Sequence, residues 1–194
     1  MKTETINLYK FEELSQEAQD KAIMKVANDP HYLDYNWWDD YMHDDFHERL
    51  KEIGIECKDF YWDMDRGRYF RMEGARIADE RLFLKSAGFI KQLILLELEE
   101  ELDFFSICID ITEQRESTNR IEVDYNYDKE GDVEKFKEIF GEDMDEKLTG
   151  YLQNILEGFL KEISDEYEYM NSAEYIKEDL INRDDDYTMD GEKW

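Results

Sequence analysis

The strongest constraint on the fold is a helical repeat in the last third of the chain. Between residues 148 and 163, large apolar side chains recur every three or four positions. This period places them on one face of an α-helix, and such a face is stable mainly through packing against other elements. The sequence therefore predicts a long amphipathic helix in a packed core. Its apolar positions are Leu148, Tyr151, Leu152, Ile155, Leu156, Phe159, Leu160 and Ile163.

Two segments before this helix alternate with a period of two. In FSICIDI (105–111) and NRIEVDYNYD (119–128), every second residue is apolar. Alternation of this kind is typical of half-buried strands. The polar link TEQRESTN between the two segments favours an antiparallel pair. We expect Glu122 and Asp124 to lie on the outer face of this pair.

The rest of the chain adds further helices and a hairpin. Ser15 is a candidate N-cap, Gly54 a helix stop, and Asn171 with Glu174 a capping signal for the last helix. The order of elements predicts an α+β fold, with an antiparallel sheet and helices packed on one face, in a single domain over residues 1–194. The further predicted elements are a strand over Thr3–Phe11, a helix from Ser15 to Ala27, a helix over Tyr35–Ile53, a hairpin within residues 56–80, a buried helix over 86–103 and a last helix to Ile181.

The chain is strongly acidic. It has 52 acidic and 24 basic residues and a net charge of −28. Residues 60–91 hold seven bases and five acids, so the negative charge is concentrated in the remainder. A field of this sign repels nucleic acid and anionic membranes and attracts basic proteins. We therefore expect no direct nucleic-acid or membrane partner. The first residues, MKTETINLYK, have no apolar signal core, so a cytoplasmic location is expected.

One short motif suggests a metal site. His43 and His47 are one helical turn apart, as in zinc protease helices, and Asp44 follows the first histidine. The acid is shorter than the usual glutamate, and the third histidine of the chain, His31, lies upstream. An acidic helix that contains two histidines is therefore the favoured interpretation, and a zinc-dependent hydrolase is a distant third hypothesis. The chain has no phosphate loop, nucleophile elbow or CxxC pair, so we predict no catalytic residue, no metal and no cofactor.

Both ends of the chain resemble a known family. The stretches LYKFEELSQEAQDKAI and NWWDDYMHDDFHERLKEIGIE near the start, and EYEYMNSAEYIKEDLINRDDDYTMDGEKW at the end, resemble a phage-encoded family often labelled "antitoxin of a toxin–antitoxin stability system". The resemblance implies a phage or prophage origin and hence the cytoplasm of a host bacterium. In the Phe60–Gly74 loop, Arg66-Gly67-Arg68 stands where the family tends to have Gln-Gly-Asp-Gly, so the role of this loop stays open.

The concentrated charge suggests a function. Carboxylates four apart on a helix are about 5–6 Å from each other. Alternate carboxylates on one face of a strand are about 6.5–7 Å apart. Such rows imitate duplex DNA, which has one phosphate per about 3.4 Å on each strand. The alternative is that the charge serves only solubility, but a net charge of about 2–8 is enough for a small domain.

We therefore expect a non-enzymatic phage inhibitor, similar in action to anti-CRISPR proteins, that occupies a basic nucleic-acid channel. The partner would be a basic host protein such as a CRISPR effector or another nuclease. The alternative is an antitoxin-like protein that covers a basic toxin. Trp37 and Trp62 are possible aromatic anchors. The expected acidic surface consists of Asp39, Asp40, Asp44, Asp45, Glu48, Glu122, Asp124, Glu142, Asp143 and Asp145.

Overall fold

The structure, a computed structural model, describes residues 7–29, 31–32, 38–64, 69–98, 105–113, 119–127 and 132–194. The chain forms two compact units. The terminal unit comprises residues 1–37 and 165–194, and the central unit comprises residues 38–164. The predicted single domain over residues 1–194 stays a prediction.

Helices and short antiparallel strand pairs make up the described residues, so the predicted α+β class is confirmed. The helices are α1 Gln16–Ala27, α2 Trp38–Glu52, α3 Glu80–Ser86, α4 Ile90–Leu98, α5 Asp132–Phe140, α6 Met144–Met170 and α7 Ala173–Asn182. The strands are β1 Tyr9–Lys10, β2 Ile55–Glu56, β3 Asp59–Asp63, β4 Tyr69–Glu73, β5 Arg76–Ile77, β6 Phe105–Glu113, β7 Asn119–Tyr127 and β8 Asp186–Tyr187. Within the described ranges they pair as β1–β8, β2–β5, β3–β4 and β6–β7, instead of forming the one continuous sheet expected.

The core of the central unit is built around α6. The apolar repeat predicted from the sequence is confirmed, because Leu148, Leu152, Leu156, Phe159 and Ile163 are all buried. These side chains belong to the same cluster as buried residues of α2, α3, β3, β4, β6 and α5. Helix α6 therefore anchors most elements of the unit.

The β6–β7 pair has the predicted faces. Ile107 and Ile109 are buried, whereas Glu122 and Asp124 are exposed. In the register of the pair, Ile109 lies opposite Val123, which packs against the core. A period of two thus separates an apolar inner face from an acidic outer face, as the sequence predicted.

The hairpin β3–β4 is also confirmed, with Phe60 opposite Met72 in its register. Its turn, residues 65–68, lies outside the described residues. Gly54 ends the preceding helix at φ +80°, a conformation that favours glycine. A Cβ at this position would lie 2.3 Å from the carbonyl oxygen of Asp79, so the close approach also requires glycine.

The predicted buried helix over residues 86–103 is wrong in two respects. Gly88 adopts φ +95° and separates α3 from α4, which begins at Ile90. In α4, Ile90, Ile94 and Leu95 are 50–52% exposed. The apolar run Phe89–Leu98 predicts burial on nearly all sides, but among its described side chains only Phe89 and Leu93 are buried. Residues 99–103 lie outside the described ranges.

In the terminal unit, the predicted N-cap of α1 is confirmed. The N-cap of α7 is one residue later than predicted. Ser15 caps α1 by accepting a hydrogen bond from the Ala18 amide at 3.3 Å. At α7 the N-cap is Ser172, whose hydroxyl accepts from the Tyr175 amide at 3.2 Å. Asn171 instead donates its side-chain amide to the Tyr167 carbonyl at 2.8 Å. It therefore satisfies the end of α6, where carbonyl groups lack partners.

The C-terminal segment 184–192 is rich in acidic residues, which from the sequence predicts a solvated tail, but the segment is folded. Its Tyr187 is buried and lies in β8, which pairs with β1. Lys10 forms ion pairs with Asp184 at 3.1 Å and Asp186 at 2.9 Å. Glu192 pairs in the same way with lysines of α1. The positive charges of Lys10 and the α1 lysines offset the repulsion among the acidic residues of the segment. Of the predicted first strand, only Tyr9–Lys10 is a strand; a 3-10 turn begins at Phe11, and residues 3–6 are outside the described ranges.

Two glycines offer a matched test of this packing. Gly191 has φ +84°, and a Cβ there would lie 2.3 Å from the Ala18 carbonyl oxygen. We expect Gly191→Ala to lower the free energy of unfolding by at least about 1–2 kcal/mol, from the left-handed backbone alone. Urea unfolding monitored by circular dichroism measures the change.

Gly150→Ala is the control, because Gly150 lies exposed in α6 with open space around its Cβ position. It should raise the free energy of unfolding by about 0.5–1 kcal/mol through higher helix propensity. Equal effects of the two substitutions would contradict the described docking of the C-terminal segment.

Candidate functional site: the acidic face of helix α2

Helix α2 has one buried and one acidic face. Phe46 and Leu50 are buried in the core of the central unit. On the other side Asp40, Asp44 and Glu48 are exposed. We call these three residues the α2 acidic row. Their spacing of four residues places them along one face of the helix, with about 5–6 Å between neighbouring Cβ atoms.

The row has no counter-ion among the residues that the structure describes. Like charges at this spacing on a helix are mutually destabilising. No ion pair within the described part of the protein offsets this repulsion. The row, followed on the same helix by the exposed Lys51, therefore presents a net negative charge at the surface.

Asp45, by contrast, is part of an internal ion-pair network. Its carboxylate lies 3.2 Å from the Arg49 guanidinium. Arg49 also donates two hydrogen bonds to Glu162, at 2.5 and 2.8 Å, and lies 4.8 Å from the Phe159 ring centre. The hydrogen bonds to Glu162 are the main reason that the pKa of Arg49 is raised. Because its charge is balanced by the half-buried Arg49, Asp45 contributes less to a partner surface than the row does.

The two histidines of the zinc-like motif have separate partners. The His43 ring centre lies 4.6 Å from that of Trp62, and its Nδ1 lies 3.5 Å from Asp59 Oδ1. His47 lies 3.6 Å, through Nδ1, from the Cys57 sulfur. Burial raises the pKa of the Cys57 thiol to about 12. Within the described ranges, no group of three or more His, Cys, Asp or Glu side chains is arranged to hold a metal ion.

The other predicted acids fall into two groups on other elements. Glu122 and Asp124 are exposed on β7. Glu142, Asp143 and Asp145 are exposed at the start of α6. Lys147 approaches Asp143 at 2.8 Å and lowers its pKa. Asp145 lies in the first helical turn, where negative charge favours the helix dipole. This last group therefore has a local role at the helix start. Asp39 is in α2, but its side chain is outside what the structure describes.

Of the two proposed aromatic anchors, Trp37 lies outside the described residues. Trp62 is half-buried and packs against the core of the central unit. It also lines an open cavity of about 290 Å³ together with His43, Asp59, Phe60 and Tyr61. Sequence reasoning missed this cavity and the exposed Tyr41 of α2. The available signal for the cavity was the run of three aromatic residues, Phe60 to Trp62, in the predicted hairpin.

Comparison of the chain with protein-family models, with curated proteins and with solved structures gave no match. None of the helices in the described ranges has the length and apolar content needed to span a membrane. The site must therefore be interpreted from its own chemistry.

We expect the protein to bind no stoichiometric zinc. The imidazoles of His43 and His47 have different partners, Asp59 for the first and Cys57 for the second. Elemental analysis of protein purified with zinc and then dialysed should give well below one zinc per chain, and His43→Ala should not change the result. One zinc per chain that is lost in His43→Ala would contradict this expectation.

Proposed function

We propose that this protein is a non-enzymatic inhibitor that occupies a basic nucleic-acid channel of another protein as an acidic mimic. The observation that supports the proposal best is the α2 acidic row, three exposed carboxylates without a counter-ion in the described residues. A rigid helix that is fixed in the core by Phe46 and Leu50 holds these charges in place. A pre-organised charge row favours binding because little conformational entropy is lost.

The spacing of the row fits a surface that normally binds phosphates. Neighbouring carboxylates are about 5–6 Å apart, compared with about 3.4 Å of rise per phosphate on each DNA strand. Lysine and arginine side chains are long enough to accommodate this difference. The exposed pair Glu122 and Asp124 on β7 offers a second row, with about 6.5–7 Å between its positions.

The partner in this proposal is a basic host protein in the bacterial cytoplasm. A CRISPR effector is the favoured candidate, and other defence nucleases are the second choice. The resemblance to a phage-encoded family supports this choice of host. A basic toxin would fit the same surface, so the identity of the captured partner separates the two candidates. Capture from host lysate at low salt, followed by elution at high salt and mass spectrometry, gives that identity.

Reversal of charge in the α2 acidic row should abolish binding without unfolding. We expect the triple variant Asp40→Lys, Asp44→Lys, Glu48→Lys to keep its melting temperature within a few degrees, because exposed charges contribute little to stability. Its association with the captured partner should be at least about tenfold slower, because complementary charge steers encounter. Stopped-flow kinetics over a salt series measures the rate.

The control is the triple variant Glu134→Lys, Glu138→Lys, Glu157→Lys, which changes the net charge equally on exposed positions of α5 and α6. It should associate at a rate much closer to that of the wild type. The proposal fails if both variants slow association equally, or if the bound partner still takes up its nucleic acid.

A further inference from the structure

The cavity between α2 and β3 is large enough to receive one side chain of a partner. Its volume of about 290 Å³ is just below the range for small-molecule sites, about 300–1,000 Å³. Its walls come from two rigid elements of the central unit, with His43 from α2 and Asp59 and Trp62 among the residues from β3. The His43 and Trp62 rings are tilted by 35° relative to each other. The pocket therefore combines aromatic walls with one carboxylate.

The carboxylate of Asp59 is held in a fixed orientation. Its Oδ1 accepts a hydrogen bond from the Phe60 amide at 2.8 Å, and its Oδ2 accepts one from the Tyr61 hydroxyl at 3.3 Å. Its side chain is nevertheless 43% exposed. His43 Nδ1 also lies 3.5 Å from Oδ1. A carboxylate has about four acceptor sites, so Asp59 can still accept a hydrogen bond from a ligand.

The surroundings of the pocket favour a cation. Asp59, followed by Glu73, raises the pKa of the Tyr61 phenol, which reflects negative potential at this edge. Asp40 and Asp44 flank His43 in α2 and have no counter-ion in the described residues. The Tyr61 ring already accepts a guanidinium, because the Arg71 guanidinium carbon lies 6.0 Å from its centre. Lys58, the other nearby base, is paired with Glu73.

We propose that this pocket receives an arginine side chain of the basic partner, with the guanidinium hydrogen-bonded to Asp59 and stacked on the aromatic walls. The inference rests on the proposed function, because it names the partner residue that the α2 surface would bind. Arginine fits better than lysine, because a planar guanidinium both stacks on rings and donates to a carboxylate in fixed directions. The base of a nucleotide also stacks, but the phosphate of that nucleotide would be repelled by the negative charge around the pocket.

A peptide titration tests the pocket without any partner protein. The probe is the tripeptide glycine-arginine-glycine with blocked ends, and the readout is the indole N–H resonance of Trp62, assigned with Trp62→Phe. We expect a saturable shift, with an affinity at least about fivefold weaker for the matched lysine peptide. Asp59→Asn should weaken arginine binding about tenfold, because a charge-assisted hydrogen bond is lost. The asparagine side chain in this variant keeps one oxygen, which can still accept the hydrogen bond from the Phe60 amide.

Glu138→Gln removes the same charge from an exposed position of α5 and should bind like the wild type. If Asp59→Asn does not fold, Tyr61→Leu replaces it, and loss of the exposed ring should again weaken binding. The inference is overturned if the Trp62 resonance does not shift, if Asp59→Asn or its replacement binds as tightly as the wild type, or if the lysine peptide binds equally well. Because no partner takes part, failure here is distinct from failure of the salt-dependent association.

Discussion

The stack of Phe46 on Phe159 is the contact on which the candidate surface depends. The two ring centres lie 4.1 Å apart, and both side chains are buried. The contact joins α2 to α6, while Phe60 and Phe70 of the hairpin pack edge-on against the Phe159 ring. Offset or edge-to-face aromatic pairs contribute about 0.5–1.5 kcal/mol each beyond the burial of their area. Because Phe46 fixes the rotation of α2, it also fixes the opposite face, which carries the acidic row. The surface charge is thus positioned by the core.

The basic residues of the chain form ion pairs in some of the described acidic regions and not in others. In the terminal unit, Lys10, Lys21 and Lys25 pair with acids of the C-terminal segment. In the central unit, Arg49 joins Asp45 to Glu162. These cations lie where the chain must bring acidic segments together in order to fold. The α2 acidic row receives none of them within the described residues. This distribution separates acids that serve the fold from acids that are left to act on the surroundings.

Periodicity predicted the fold well wherever one face is buried. The repeat of α6 and the alternation of β6 and β7 both appear as expected, because burial of one face imposes the period on the sequence. Ion pairs between residues far apart in the sequence could not be predicted from these patterns. The C-terminal acids were read as solvated, since their lysine partners lie more than 150 residues away in the sequence. The exposed apolar positions of α4 are expected to be buried from the sequence, because a nearly continuous apolar run does not show which of its side chains face solvent. For the site, helical spacing revealed the row, but the Trp62 pocket depends on how β3 lies against α2.

The geometry also bears on whether the charge serves only solubility. Solubility requires net charge but no particular arrangement of it. A chain under that requirement alone would gain stability by placing a lysine one turn from each acid, as it does with Asp143 and Lys147. In α2 the outer positions 40, 44 and 48 are all acidic. Lys51 follows Glu48 by three residues but forms no ion pair with it in the described structure, and Arg49 binds Glu162. Repulsion along the row lowers stability at each of these positions. An arrangement that destabilises the free protein is retained most readily when a basic partner neutralises it on binding, and this argument favours recognition over solubility.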